Sequence, residues 1–249
     1  MTLADALVEL QQLTERLRRE CPWDREQTAE TIVPHTVEEA YEVADAALAG
    51  DDAKLLDEIG DLLFQSYFLA LLLEERGAGD LETAARGVHA KLVRRHPHVF
   101  GEVEAETGEH VVRNWEAIKR SEEGREGIFH DVPEGLPALL YARKVQSRAK
   151  AVGFEYPDLA GAVGDLDDEI RELKEEFAAD ELGDVLFAVV NVARRLSVDP
   201  ELELRAAAKR FRSRVEAAEA LAGADGKDWT TLPLDEQDAY YDEAKERAG

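Results

Sequence analysis

The chain has 249 residues, enough for one large domain or two small ones, and its 55 acidic against 30 basic side chains leave a formal net charge of -25. That charge argues against a nucleic-acid polymer or an anionic membrane surface as the partner, because either would repel it. A single cysteine, Cys21, rules out an intrachain disulfide and zinc-finger chemistry and suits a reducing, cytoplasmic setting.

The first segment, "MTLADALVELQQLTERLRRE", sets Leu3, Leu7, Leu10, Leu13 and Leu17 at helical spacing between charges, so it predicts an amphipathic helix over 2–20 rather than a signal peptide. After the break "CPWDREQT", helices are predicted at 36–49, 53–76, 80–94 and 108–121, parted by "AGDD" and "HPHVFGEVEAETG". The longest apolar run, "FLALLL" at 68–73, falls far short of the ~20 residues needed to span a membrane. The stretch 121–137 carries three glycines and two prolines without apolar periodicity and reads as a linker. Further helices are predicted at 137–151, 165–176, 180–196, 200–222 and 234–247. No succession of alternating strands occurs, so the fold class is all-α.

One phrase occurs twice: "DEIGDLLF" at 57–64 returns as "DELGDVLF" at 180–187. The repeat predicts two tandem helical-bundle domains, 1–125 and 126–249. Each copy follows an acidic helix, "TVEEAYEV" with Glu38, Glu39 and Glu42, then "LDDEIREL" with Asp168, Glu169 and Glu172. On a helix the three acids of each set fall within an arc of about 100°. Thr36 with Glu39, and Asp165 with Asp168, also have the spacing of a capping box, which accounts for Glu38, Glu39 and Asp168 as first-turn acids. Capping does not reach Glu42 or Glu172.

Nor does it explain Glu58 and Asp61, or Glu181 and Asp184, which sit three apart at the head of strongly apolar runs. Carboxylates in such a place must be paired, hydrogen-bonded or bound to metal. Two helices folded back across "AGDD" bring Glu39 and Glu42 opposite Glu58 and Asp61. Four converging carboxylates repel one another unless a divalent cation sits among them, and an oxygen-only set favours Mg2+, with Mn2+ as a substitute, over zinc.

The pattern Glu-Glu-x-x-Glu followed by Glu-x-x-Asp resembles the MazG family of nucleoside triphosphate pyrophosphohydrolases. "CPWDREQT" at 21–28, "KLVRRHPHVF" at 91–100 and "NWEAIKRSE" at 114–122 are similar to that family's further signatures, in the order of its two-domain members. The resemblance implies tandem α-helical domains that form a homodimer through their bundles. It also implies Mg2+-dependent hydrolysis of a nucleoside triphosphate to the monophosphate and pyrophosphate. Glu39, Glu42, Glu58 and Asp61 then hold one metal site, and Glu169, Glu172, Glu181 and Asp184 a second, while Glu38 or Asp168 orients or deprotonates the attacking water. Lys91, Arg94 and Arg95 suit a triphosphate tail, as do Lys209 and Arg212 at the same Lys-x-x-Arg spacing; equally, they solvate helix ends. Trp115 and Lys119 correspond to Tyr241 and Lys245, where an aromatic stacks on a base or fills a core. A related dUTP or phosphoribosyl-ATP pyrophosphatase, and a non-catalytic nucleotide- or metal-sensing module, are the rival readings. No Gly-x-x-x-x-Gly-Lys loop is present to suggest a motor or switch nucleotidase.

The second half departs from the pattern twice. Asp168 replaces Glu, and eight residues instead of fifteen separate the last acid of one helix from the first of the next. As one continuous helix this would put Glu172 and Glu181 about 180° apart. A hairpin shortened by seven residues, close to two turns, keeps both faces in register; it is expected to turn at 177–180 with Asp180 as the cap of its second helix.

Overall fold

The computed structural model describes residues 2–101, 103, 105–108, 110–111, 114–115, 118, 127–130 and 132–248. The chain divides into two compact units, Met1–Gly124 and Arg125–Gly249. Among the described residues every regular element is helical.

Unit 1 contains α1 (Leu3–Glu20), α2 (Ala29–Ala49), α3 (Asp52–Glu75), α4 (Leu81–Arg95) and the short α5 (Pro97–Phe100). Helix α3 is the hub, with α2, α1 and α4 all packed against it. Ile32 of α2 meets Phe68 and Leu72 of α3 in the core, with Phe64 alongside. Arg18 staples the ends of α1 and α3: it holds Glu75 through both carboxylate oxygens, at 2.8 and 2.9 Å, and donates to the Asp24 and Gln27 carbonyls. The "CPWDREQT" loop is thereby pinned over the bundle end.

Helix α2 begins seven residues before the sequence-predicted start at 36. Thr28 caps it, in a box with Thr31. Pro34 suggests a later start, because an interior proline removes a backbone donor. Burying Ile32 against Phe68 opposes that cost and holds the first turns helical. Thr36 is therefore mid-helix, its hydroxyl donating to the Ile32 carbonyl at 3.2 Å, and the expected Thr36–Glu39 capping box does not exist.

Unit 2 contains α6 (Ala138–Lys150), α7 (Leu159–Glu176), α8 (Ala179–Arg195), α9 (Pro200–Ala224) and α10 (Leu234–Ala248). The pairs α7/α8 and α9/α10 pack as hairpins, and α6 lies against α8 and α9. Asp158 caps α7, again earlier than predicted, so Asp165 and Asp168 are interior positions and no capping box. The shortened segment is a hairpin, as its register predicts. The turn differs in detail: Phe177 closes α7 in the left-handed region (φ 49°), Ala178 precedes α8, and Asp180 lies inside the first turn of α8 instead of capping it.

Of the helix predicted at 108–121, the described residues 108, 110, 111, 114, 115 and 118 are helical, and Lys119 lies outside the described residues. No helix among the described residues is long and apolar enough to cross a membrane.

Candidate functional site

In unit 1 the α2/α3 hairpin turns at Gly50, whose φ of 66° favours glycine, and Asp51 caps α3 by accepting from the Lys54 N–H at 3.0 Å. The hairpin sets the acidic stripe of α2 against the head of α3. One carboxylate oxygen from each of Glu39, Glu58 and Asp61 comes within 4.8 Å of the other two. Glu42 completes the group, its carboxyl within hydrogen-bonding reach of Glu58. Glu58 is only 6% exposed although it is charged by type. Burial, and then the Glu42 charge, push its carboxyl above the ordinary range, while Lys54, with Nζ 3.6 Å from Oε1, pulls the other way. Glu39 is raised too, by burial first and then by Asp61, Glu42 and Glu58.

Unit 2 builds a similar group from α7 and α8. Oxygens of Glu169, Glu172 and Glu181 come within 4.8 Å of one another. Burial raises Glu169, with Asp184 the next contributor; burial raises Glu181, with Glu172 next. The two clusters differ in their cation. Counting back from the repeated phrase, the place of Lys54 is taken in unit 2 by Phe177.

Glu38 and Asp168 stand beside the clusters and outside the converging trios. Both are exposed; the Glu38 carboxylate lies 3.8 Å from His35 Nδ1, and Asp168 accepts from Arg171 at 2.8 Å. Lys91 and Arg94 are exposed on α4, whereas Arg95 is buried with its guanidinium 5.6 Å from the Trp115 ring centroid. His96 meets the same ring edge-on at 4.9 Å. In unit 2 Lys209 and Arg212 are exposed on α9, with Arg212 Nε 3.5 Å from Glu216. Tyr241 packs against Phe211, ring centroids 5.8 Å apart, and Lys245 is exposed one turn further along α10. Both candidate stacking aromatics are therefore engaged with the neighbouring helix in their own unit.

Sequence reasoning missed Lys54, the cation at the first cluster. Its spacing carried the signal, since a lysine four residues before a glutamate lies on the same helix face. It also missed the true starts of α2 and α7, where Thr28 and Asp158 were readable as caps.

The carboxylate sets can take a divalent ion. Every donor is a hard oxygen. Ligands of one magnesium ion lie up to about 4.2 Å apart, given bonds of about 2.1 Å, so a small inward shift of side chains on two facing helices suffices. Burial first, and then the crowding of like charges, raises these carboxyls, and a bound metal would offset that cost.

Comparison with known proteins gives the same direction. Residues 27–100 match the family model of the MazG nucleotide pyrophosphohydrolase domain, a span that runs from α2 through α5 and includes the first acidic cluster. The chain is 38% identical to the nucleoside triphosphate pyrophosphohydrolase/pyrophosphatase MazG of Thermotoga maritima over 245 residues, 95% of this chain and 94% of that one. It is 37% identical to the nucleoside triphosphate pyrophosphohydrolase of Escherichia coli (strain K12) over 257 aligned positions, 98% of each chain. The crystal structure of a mazG-related protein from Thermotoga maritima aligns with a TM-score of 0.40 at 32% identity, over 45% of this chain and 97% of that one. With such identity sustained over nearly the whole length of two curated relatives, the chain belongs to the MazG family.

Proposed function

We propose that this protein hydrolyses nucleoside triphosphates to nucleoside monophosphate and pyrophosphate, with magnesium held by Glu39, Glu42, Glu58 and Asp61 in unit 1 and by Glu169, Glu172, Glu181 and Asp184 in unit 2. The observation that carries the reading is the convergence of carboxylates from two facing helices, one of them the buried Glu58, in a chain whose full-length relatives are named for this activity. When bound, the ion supplies charge neutralisation for the phosphates and for the pyrophosphate that leaves. The chain's own acids hold it on a rigid hairpin. Glu38 and Asp168, exposed beside the trios, are free of the converging set and suited to accept a proton from the attacking water, whose oxygen bonds to phosphorus as the anhydride between α- and β-phosphate breaks. Lys91, Arg94, Arg95, Lys209 and Arg212 supply positive charge for the triphosphate tail, together with Lys119 and Lys245. Trp115 and Tyr241 are the aromatic groups available to stack on the base.

The same reading includes a homodimer in the cytoplasm with no nucleic-acid polymer as partner. Support for the dimer comes from the large apolar side chains left exposed around the hairpins, among them Leu56, Ile59, Leu182 and Leu186. The charge of -25 speaks against a nucleic-acid polymer, and the single cysteine suits a reducing compartment.

The test is pyrophosphate release from a panel of ribo- and deoxyribonucleoside triphosphates, with magnesium and with a chelator. Release confined to dUTP, or to a phosphoribosyl-nucleotide, would move the assignment to a narrower pyrophosphatase. Absence of release from every compound in both conditions would leave a sensing module. In the full chain, Glu58→Gln and Glu181→Gln are each expected to leave part of the activity and together to leave none. Full activity in the double variant overturns the metal assignment.

A further inference from the structure

The two acidic hairpins differ in length, and the difference carries a charge. In unit 1 helix α3 starts at Asp52, six positions before Glu58, whereas in unit 2 helix α8 starts at Ala179, two positions before Glu181. Unit 1 therefore has about one extra turn of helix ahead of its buried acid, and Lys54 projects from that turn. The corresponding place in unit 2 falls on Phe177, which closes α7 in the left-handed region, outside α8, with its ring 81% exposed.

Lys54 is poorly placed for the helix that carries it. A cation in the first turn opposes the helix dipole, and lysine four residues before glutamate is the weaker order of such a pair. Asp51 steadies the turn by accepting from the Lys54 N–H at 3.0 Å, and the side chain reaches along the helix until Nζ stands 3.6 Å from Glu58 Oε1. What favours a lysine here is the acidic cluster. Burial and the Glu42 carboxyl both push Glu58 up, and Lys54 opposes them. At Glu181 burial is joined by Glu172, Asp180, Glu176 and Asp184, all of them acids acting in the same direction. At Glu169 it is joined by Asp184, Glu172, Asp165 and Asp168. One cluster is partly neutralised from within, and the other is ringed by further negative charge.

We propose, building on the metal assignment above, that Lys54 is a tethered counter-ion of the first cluster that competes with a divalent cation for Glu58, so that unit 2 loads with metal before unit 1. For Glu58 to become a ligand, Lys54 either swings away from it or stays as a like charge beside the ion, and both routes weaken binding. The lysine side chain is 52% exposed on a flexible four-carbon stem, so it can move into water without disturbing α3. It therefore weakens the site and does not close it. Solvent screening holds the effect to roughly three- to tenfold in affinity, while the burial of Glu58 keeps it from vanishing. At magnesium concentrations between the two affinities only the acids of unit 2 hold an ion, and unit 1 adds its activity as magnesium rises.

The experiment is titration of the nucleotide-free full chain with Mn2+, following the paramagnetic resonance signal of the free ion. Two classes of site are expected. Glu181→Gln removes the class that fills first, and Glu58→Gln removes the class that fills second. Lys54→Met, which keeps the stem and removes the charge, tightens the second class roughly three- to tenfold and leaves the first unchanged, whereas Lys54→Arg retains the parent affinities. Unchanged affinity in the Lys54→Met chain overturns the proposal, and so does a single class of site or a first-filling class lost with Glu58→Gln. Absence of binding, or binding that survives both glutamine substitutions together, rejects the metal assignment and the counter-ion with it. Two classes that respond to Lys54→Met as stated, in a chain that releases no pyrophosphate, uphold the counter-ion and reject only the reaction.

Discussion

Glu42 and Glu172 bear the most weight among single residues, because each faces the first acid of the next helix. Replacing both by Gln keeps size and hydrogen-bonding capacity while removing one negative charge from each cluster. The expected outcome is a folded protein, with unchanged far-ultraviolet circular dichroism, that no longer hydrolyses triphosphates in magnesium. Its metal-free melting temperature is expected to match or exceed that of the parent, since Glu42 contributes to raising Glu58 and Glu172 to raising Glu181. A clear fall in that temperature would mean that the carboxylates stabilise the fold directly. The acids were legible because sequence displays helical spacing and the improbability of a carboxylate in an apolar run. Lys54 was read only as part of a helix, and its contact with Glu58 depends on how far α3 extends beyond Asp51.

Among the elements, the α7/α8 hairpin is the shorter, and its turn carries the cost. Phe177 adopts a left-handed conformation that glycine takes freely at helix ends, and its ring is 81% exposed, so little burial repays the strain. Phe177→Gly is expected to stabilise the protein by roughly 1 kcal/mol, read as a rise in the thermal midpoint, with hydrolysis unaffected. A loss of stability would show that the exposed ring is buried against something in solution. The existence of the hairpin was legible from arithmetic, because deleting seven residues leaves two helical faces in register. The residues of the turn were not: local preference favours Asp180 as a cap, while the packing of α7 on α8 fixes where each helix stops.

At the scale of the whole molecule the acid clusters set the response to pH. Glu39, Glu58, Glu169 and Glu181 have folded-state values above the ordinary glutamate value, so in metal-free protein their contribution to stability is present at low pH and lost as pH rises through the raised values. Glu30, Glu75, Glu155, Asp5 and Asp80 are lowered, so theirs is present above the ordinary carboxylate range and lost as pH falls through the depressed values. The metal-free melting temperature is therefore expected to peak in mild acid and to decline as pH rises from the ordinary glutamate value toward neutrality, and saturating magnesium is expected to remove the decline by favouring the ionised forms. A metal-free midpoint that rises steadily across that interval contradicts the clusters as drawn.

By itself the sequence determined the all-α class, the duplicated acidic hairpin and the family, because these rest on periodicity, spacing and residue type, which survive without coordinates. Tertiary structure decided between Thr28 and Thr36 as the start of α2, since burial of Ile32 against Phe68 outweighs the local signal of Pro34. It alone opened a cavity in unit 2, walled by Gln146 of α6, by Tyr156 and by Asn191 of α8 among others. A void is the absence of side chains where elements meet, and Asn191 does not announce it until the segments that face it are known.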